Sequence, residues 1–495
     1  VPAPVAVQSS EHLDDRDAVG QEITAQHFQH RDFARFEAQL RAETDLLKHW
    51  IETGRFSSRR AIAGLELEAW LVDPRGHPAP ANEAFLARLG METVVPELAK
   101  FNIELNVSPQ PIAGRGLERL ELEMADTWRR CQETAATMGL DVISIGILPT
   151  VDEAHLCPAN MSSMARYRAL NEQVLRQRRG KPIRLSIHGE ESLATEHHDV
   201  MLEAGTTSFQ AHLQVAPEEA TRCYNASVLA SAPMVALAAN SPFLFGRALW
   251  QETRIPLFEQ AVAVGSYEAA YRGDVPRVTF GTGYAGWSLA ECFRENVDLF
   301  PVMLPLAFDE PAESLRHLRL HNGTIWRWNR PLIGFDDDAT PHLRVEHRVM
   351  AAGPSILDMM ANLACYYGFA AWLADQPTPP ESILPFDVAR ANFYAAAQRG
   401  LDAEIVWLDA ESMGLREFVL RQVIPKAYEG LARFGVDADL AARYLSVAEA
   451  RARGGQTGAV WQGRVAGSAG RDLARLTLEY AAHQRTGSPV HTWEA

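Results

Sequence analysis

The chain has 495 residues, 47 Lys+Arg against 63 Asp+Glu and a formal net charge of −16. No Lys/Arg-rich block stands out, which argues against a nucleic-acid partner, since such proteins carry a basic patch that releases counterions. The only lysines are Lys48, Lys100, Lys181 and Lys426, and the single Gly-Lys pair, Gly180-Lys181, is followed by Pro182, so the phosphate-binding pattern GxxxxGK[ST] is absent and any phosphate must be handled by arginine and metal.

In chain order, apolar residues recur at helical spacing over 25–53 (Phe28, Phe33, Phe36, Leu40, Leu46, Leu47, Trp50), predicting a helix that packs on the rest of the chain. Over 61–72 the period changes to two: Leu65, Leu67, Ala69 and Leu71 point one way, Glu66, Glu68 and Trp70 the other. A helix is expected over 116–138, a strand over 142–148, and further helices over 164–178, 218–239, 289–298 and 356–374. The uncharged run 223–246 has membrane-spanning length, but Asn225, Ser231, Pro233, Asn240, Ser241 and Pro242 interrupt it, so it reads as a buried helix and a turn rather than a membrane span. Gln376-Pro377-Thr378-Pro379-Pro380 is the clearest linker. Beyond it the pattern is mostly helical, with 454–455 and 463–470 expected as loops. The resulting division is a helical extension over 1–60, a sheet domain over 61–375 and a helical region over 376–495. Five cysteines, widely spaced and without CxxC, suggest neither disulfides nor structural zinc and fit a reducing cytoplasm. The opening residues, Pro-containing and then acidic, do not read as a signal peptide.

Four short segments share one peculiarity. One face carries Glu66 and Glu68 in the first and Glu104 and Asn106 in the second; Ser208, Gln210, His212 and Gln214 line it in the third, and Arg344, Glu346 and Arg348 in the fourth. Side chains two apart on a strand lie on one face, roughly 6.5–7 Å apart, so each segment presents a polar row while its other row joins a core. A solvated antiparallel sheet also alternates. A merely wet face, however, tends to carry Thr, Ser and Lys rather than Glu, His, Asn, Gln and Arg. Gathered together, Glu66, Glu68, Glu104, His212 and Glu346 require cations among them, and such a set suits Mg²⁺ or Mn²⁺. Arg344 and Arg348 flank Glu346 and suit bidentate contact with phosphate.

These segments resemble the glutamate–cysteine ligase family, in its bacterial carboxylate–amine ligase branch. The resemblance rests on Gly64-Leu65-Glu66-Leu67-Glu68, Phe101-Asn102-Ile103-Glu104-Leu105-Asn106, Met164-Ala165-Arg166-Tyr167, the run from Thr206 to Val215, the run from Ala236 to Phe243, Thr253-Arg254, His321-Asn322-Gly323-Thr324 and Val345-Glu346-His347-Arg348. It implies an α+β fold: a cup-shaped, mainly antiparallel sheet of the glutamine-synthetase and guanido-kinase type, helices outside, and a helical C-terminal region. It further implies ATP and Mg²⁺ on the polar face and amino-acid substrates, with a carboxylate phosphorylated by ATP and an amine attacking the acyl phosphate. Carried over by position, Glu66, Glu68, Glu104, His212 and Glu346 resemble metal ligands, with Glu97 a weaker match. Arg348 resembles the arginine at the transferring phosphate, and Arg254 the one that binds a substrate carboxylate. Arg344, Asn106 and Gln214 become candidates for ATP; Asn240, Arg166, Tyr167 and Arg330 become candidates for substrate.

Other readings stand beside this one. Gly281 to Gly286 fits the dinucleotide fingerprint GxGxxG but lacks a βαβ context and reads better as a glycine-rich loop near the active site. Glu196-His197-His198-Asp199 reads as a loop with a local hydrogen-bond network rather than a metal site. The aromatic stretch 318–331, with Trp326 and Trp328, is either a packed connection or a wall for substrate or adenine. The expected activity is an ATP- and Mg²⁺-dependent ligase joining glutamate to cysteine or another amine; a catalytically silent binding protein of the same fold is the alternative.

Overall fold

The spine of the molecule is one long strand, β1 (Ile62–Val72), whose alternation puts Ala63, Leu65, Leu67 and Ala69 in the core while Gly64, Glu66 and Glu68 stay half-buried on the other face. The computed structural model describes residues 28–264, 276–468 and 470–494. Around β1 lie β2 (Val94–Pro96), β3 (Asn102–Asn106), β4 (Gln110–Pro111), β5 (Asp141–Ile143), β6 (Phe209–Val215), β7 (Asn329–Phe335) and β8 (Pro341–His347). They form one curled sheet in the order β7-β8-β6-β1-β3-β2, every pairing antiparallel, with β4 and β5 pairing the two ends of β1. The α+β architecture expected from the sequence, sheet within and helices outside, is the one observed.

Helix α1 (His30–Glu52) buries Phe36, Leu40, Leu47 and Trp50 against the rest of the chain, and its buried Glu43 accepts from Leu318 N at 2.8 Å and lies 2.5 Å from His317 Nδ1. Residues 25–27 of the expected helix lie outside the described residues. Of the helices further along the chain, three position the site: α2 (Pro217–Leu237), α3 (Arg254–Ala261) and α4 (Ile356–Ala374); α2 and α4 are buried along most of their length, the fate expected for a helix hydrophobic nearly all round. Among the described residues no helix is long and apolar enough to cross a membrane. Tyr367 of α4 ties the helical layer to the sheet through its hydroxyl, which donates to His212 O at 2.7 Å, with Gly64 O at 3.2 Å.

The region after the proline-rich segment packs directly on this layer. Helix α5 (Ile424–Arg433) crosses α4 at a pair of glycines: a Cβ on Gly430 would fall 1.8 Å from Gly368 O, and one on Gly368 2.2 Å from Ala427 O. Buried Arg451 pairs with Asp358 at 2.7 Å and bonds Asn362 at 2.5 Å.

Two expectations need correction. The strand expected over 142–148 stops at Ile143, because Ser144 turns toward the C-terminal region: Gln484 accepts from Ser144 N at 3.0 Å, and Tyr480 and Gln484 donate to Ser144 O at 2.9 and 2.8 Å. Most of 463–470 is not a loop but part of a helix, Gly458–Ser468, whose first glycine comes close to Asn240; a Cβ there would lie 2.0 Å from Asn240 Oδ1.

Candidate active site

Strand register assembles the polar rows. Glu66 lies between Asn106 on β3 and Gln210 on β6, Glu68 faces Glu104, His212 faces Gly64 on one side and Glu346 on the other, and Arg330 faces Glu346. All five acid and imidazole groups singled out from the sequence therefore share one face of one sheet.

Two groups of ligand-type side chains result. In the first, Glu66, His212 and Glu346 each offer one ligand atom, and these lie within 4.8 Å of one another. His212 Nε2 sits 3.3 Å from Glu66 Oε1 and 3.8 Å from Glu346 Oε1, buried and without an aligned hydrogen bond. Burial alone would raise the Glu346 pKa, but Arg330, then Arg348 and His212, hold it down at about 2. One nitrogen and two carboxylates with an orphaned ring nitrogen among them fit a Mg²⁺ or Mn²⁺ ion.

The second group is Glu68, Glu97 and Glu104. Glu68 accepts from Ser208 N at 2.7 Å and Gln210 Nε2 at 3.0 Å, and Glu104 from Asn106 Nδ2 at 2.9 Å. Burial, and next the charge of Glu97, push the Glu68 pKa up to about 7; burial, then Glu66 and Glu97, push Glu104 well above the usual carboxylate range. Like charges placed directly opposite on paired strands destabilise one another, a repulsion that a cation would relieve, although among the described residues the ligand atoms within 4.8 Å of one another are those of Glu66, His212 and Glu346. Glu68 and Glu97 open onto a pocket shared with Glu203, Arg254, Phe258 and Arg348. Burial, then Glu97, raise Glu203 to about 8, with Arg348 opposing. Sequence reasoning missed Glu203; its one signal is that it is the lone charge in the apolar run Val200 to Gly205, just ahead of β6.

Arg348 points one N–H at Glu346 Oε2, 3.2 Å away, and lies over the Phe258 ring at 5.7 Å. Arg254, at the start of α3, is buried; it donates to Glu252 at 3.1 Å, to Arg348 O at 3.3 Å and to Val349 O, and still lines the pocket. Arg166 donates to the Tyr167 hydroxyl at 2.7 Å, and both feel the charges of Glu97 and Glu104, so they close the carboxylate side of the cup. At the far end Arg344 and Gln214 face each other on β8 and β6, with Gln214 Nε2 3.4 Å from Asp336 Oδ1. Every arginine named here belongs to or borders the polar face. No lysine lines the pocket: Lys48 and Lys181 are exposed, Lys100 donates to Ala159 O at 2.9 Å, and Lys426 lies over Trp372 at 4.1 Å.

Several expectations change here. Asn240 is fully buried and donates to Ala352 O at 2.7 Å and the Tyr480 hydroxyl at 2.8 Å while accepting from Gln462 at 2.9 Å; it pins the C-terminal helices and leaves no room for substrate. Arg330 grips both oxygens of Glu346 at 2.8 and 2.9 Å, so its guanidinium is committed to that carboxylate rather than turned to a substrate. Trp70, which shares a face with Glu66 and Glu68, does not continue their row into solvent: it is buried and stacked on Phe101 at 5.4 Å. Trp326 and Trp328 are buried and pack edge-on against Phe258 at 6.1 and 5.8 Å, which makes 318–331 a packed connection behind the pocket. At the end of the glycine-rich loop, the backbone N–H groups of Gly286, Trp287 and Ser288 are taken by the Glu291 carboxylate at 3.0, 2.7 and 2.8 Å, and those of Gly281 and Ala285 by Thr279 Oγ1 and Asn225 Oδ1 at 3.1 and 2.9 Å. The loop expected over 196–199 is only partly one: Glu196 and His197 end a strand, Ser192–His197, with Arg184 donating to Glu196 at 2.8 Å across the hairpin, while Asp199 beyond it accepts locally from Met201 N at 2.9 Å. His321 and His342 are pushed down to about 4, each chiefly by burial, and bond to Asn296 O at 3.0 Å and Asp336 at 2.9 Å.

Residues 62–477 match the model of glutamate-cysteine ligase family 2. The chain belongs to that family. No curated protein matches it. Among solved structures it is similar to a glutamate–cysteine ligase from Francisella tularensis in complex with AMP, with a TM-score of 0.53 and 11% identity over 89% of this chain and 91% of that one. It is also similar to a bifunctional glutathione synthetase from Pasteurella multocida, with a TM-score of 0.52 and 12% identity over 92% of this chain and 55% of that longer protein. At such identities the likeness to these two ligases is one of fold. Membership of the family supports an ATP-dependent carboxylate–amine ligase.

Proposed function

We propose that this family member joins the γ-carboxylate of glutamate to cysteine or another amino compound, at the expense of ATP and with Mg²⁺ or Mn²⁺. The observation that carries this reading is the sheet face on which Glu66, His212 and Glu346 bring ligand atoms within 4.8 Å of one another, joined through the Arg348–Glu346 contact to a pocket lined by Glu68, Glu97, Arg254 and Arg348. A carboxylate is a poor electrophile, and transfer of the γ-phosphoryl group turns one of its oxygens into a good leaving group. Attack by the neutral amine then gives the amide and phosphate. Glu66, His212 and Glu346 would hold one metal ion and Glu68, Glu97 and Glu104 another. Bound there, metal would neutralise phosphate charge.

The chain's own residues do the rest. Arg330 keeps Glu346 ionised and oriented. Arg348 is assigned to the charge that builds on the transferring group, where a fixed cation needs no reorganisation. Arg254, held by Glu252 and two carbonyls, is assigned to a carboxylate of the acid. Arg344, Asn106 and Gln214 are assigned to ATP, Arg166 and Tyr167 to the substrate side.

Incubation with ATP, Mg²⁺, glutamate and a panel of amines is expected to release ADP only when acid and amine are both present. ATP binding without ADP release would make the protein a silent nucleotide-binding relative; neither binding nor turnover would refute the reading outright.

A further inference from the structure

Arg254 lines the pocket from the first turn of α3, and the groups that hold it lie behind the pocket. Its Nε donates to Glu252 at 3.1 Å, and its two terminal nitrogens donate to Arg348 O at 3.3 Å and to Val349 O. These three bonds do not exhaust the N–H groups of a guanidinium, so some remain for a ligand. The guanidinium also lies over the Trp328 ring at 5.3 Å, and Trp328 Nε1 donates to Glu259 at 2.9 Å. Glu252, fully buried, accepts from two further donors: the Ser241 hydroxyl at 2.7 Å and Asn240 N at 2.8 Å. Ser241 Oγ in turn accepts from Arg254 N at 3.2 Å. Burial raises the Glu252 pKa, opposed first by Arg254 and then by the bonds from Asn240 and Ser241. All three partners donate, so the acceptor-only carboxylate is the form that satisfies the cluster.

Asn240 carries the contacts away from the pocket. Its side chain donates to the Tyr480 hydroxyl at 2.8 Å and accepts from Gln462 at 2.9 Å, and Tyr480 donates onward to Ser144 O at 2.9 Å. Gln462 and Tyr480 stand on two C-terminal helices, Gly458–Ser468 and Leu473–Arg485, and neither lines the pocket. Arg254, Glu252, Ser241, Asn240, Gln462 and Tyr480 are all buried, so a bond lost anywhere along the series is not replaced by water.

We propose that Glu252 is a positioning residue that aims Arg254 into the pocket, and that through Asn240 the C-terminal helices set how tightly Arg254 holds an anion. L-glutamate is the probe, a choice that rests on the ligase reading. Calorimetry on the full chain with Mg²⁺ and a non-hydrolysable ATP analogue gives its affinity. Glu252→Gln is expected to weaken glutamate by about 10-fold or more and to leave the ATP analogue unchanged. Tyr480→Phe keeps the ring and removes the hydroxyl. It is expected to weaken glutamate about 3-fold in the wild-type background and not at all on top of Glu252→Gln. Equal losses for glutamate and the ATP analogue in Glu252→Gln, additive effects of the two substitutions, or an unchanged glutamate affinity in either would overturn the proposal. A second readout needs no ligand: the NMR signal of the Arg254 Nε–H, assigned by its loss in Arg254→Lys. It is expected to be protected from exchange in the wild type, to be lost in Glu252→Gln and to shift in Tyr480→Phe. A signal unmoved by both would overturn the proposal. If Glu252→Gln does not fold, Tyr480→Phe decides alone, and an unchanged affinity with an unchanged signal overturns it. Failure of the ligase reading has a separate sign: wild-type protein that neither binds glutamate nor releases ADP, in which case the Nε–H signal still decides whether Glu252 and Tyr480 act on Arg254.

Discussion

Glu68 is the residue at which the chemistry of the cup becomes a stability effect. Its folded pKa is pushed up from an ordinary 4.5 to about 7 by burial and then by Glu97. The folded, metal-free protein therefore holds a proton there that the unfolded chain has released. Stability from this source is fully present below the unfolded value and falls as pH rises from about 4.5 toward about 7. Glu68→Gln keeps the neutral form at every pH. In chelator, its melting temperature relative to the wild type should climb between about pH 5 and about pH 7, by about 2 °C. A difference that stays constant with pH would mean that Glu68 is not held protonated by its neighbours. The residue scale is also where the sequence is least explicit. Glu66, Glu68, Glu104, His212 and Glu346 stand out by alternation, since a strand displays every second side chain. Glu203 lies on an irregular turn and Glu97 just past β2, where no period exists to expose them. Asn240 misleads for a different reason: a polar side chain in a buried turn reads the same whether it meets substrate or backbone.

Between elements, glycine decides how closely two backbones approach. The α4–α5 crossing depends on Gly368 and Gly430, and a methyl on Gly430 would strike the Gly368 carbonyl rather than a side chain that can swing away. Gly430→Ala should therefore destabilise by about 2 kcal/mol or more, as overpacking of a fitted contact does. Gly463, inside the helix Gly458–Ser468, has nothing within 4 Å of its would-be Cβ. Gly463→Ala should stabilise by about 0.5–1 kcal/mol, the entropic gain of alanine in a helix. Urea unfolding of the two variants checks both, and equal effects would contradict the packing described. The same helix explains a misreading: glycines suggest a loop over 463–470, yet the helix there has its tight approach at Gly458, against Asn240, a residue far away in the sequence. Local composition carries no record of that contact. The strands and the helix 356–374 are legible because their patterning is internal to each element.

Across the whole molecule, the proposed metal sites would couple ion binding to folding. An ion that binds only the folded state stabilises it by mass action, about 2.7 kcal/mol when present at about 100 times its dissociation constant. Mg²⁺ added to metal-free protein should raise the melting temperature, and Glu66→Gln, which removes a ligand from one of the two groups, should diminish the rise. No change in the wild type would remove metal from the proposed reaction. The absence of lysine from the pocket has a further consequence, for self-damage. An acyl phosphate is an acylating agent, and a primary amine of the protein within reach would compete with the substrate amine and be covalently consumed. A guanidinium group stays protonated throughout the physiological range and is no nucleophile. With Lys48 and Lys181 exposed, Lys100 held at Ala159 and Lys426 over Trp372, the pocket is lined by Arg254 and Arg348 and by no lysine, so an acyl phosphate formed there in the proposed reaction would meet guanidinium groups rather than lysine amines.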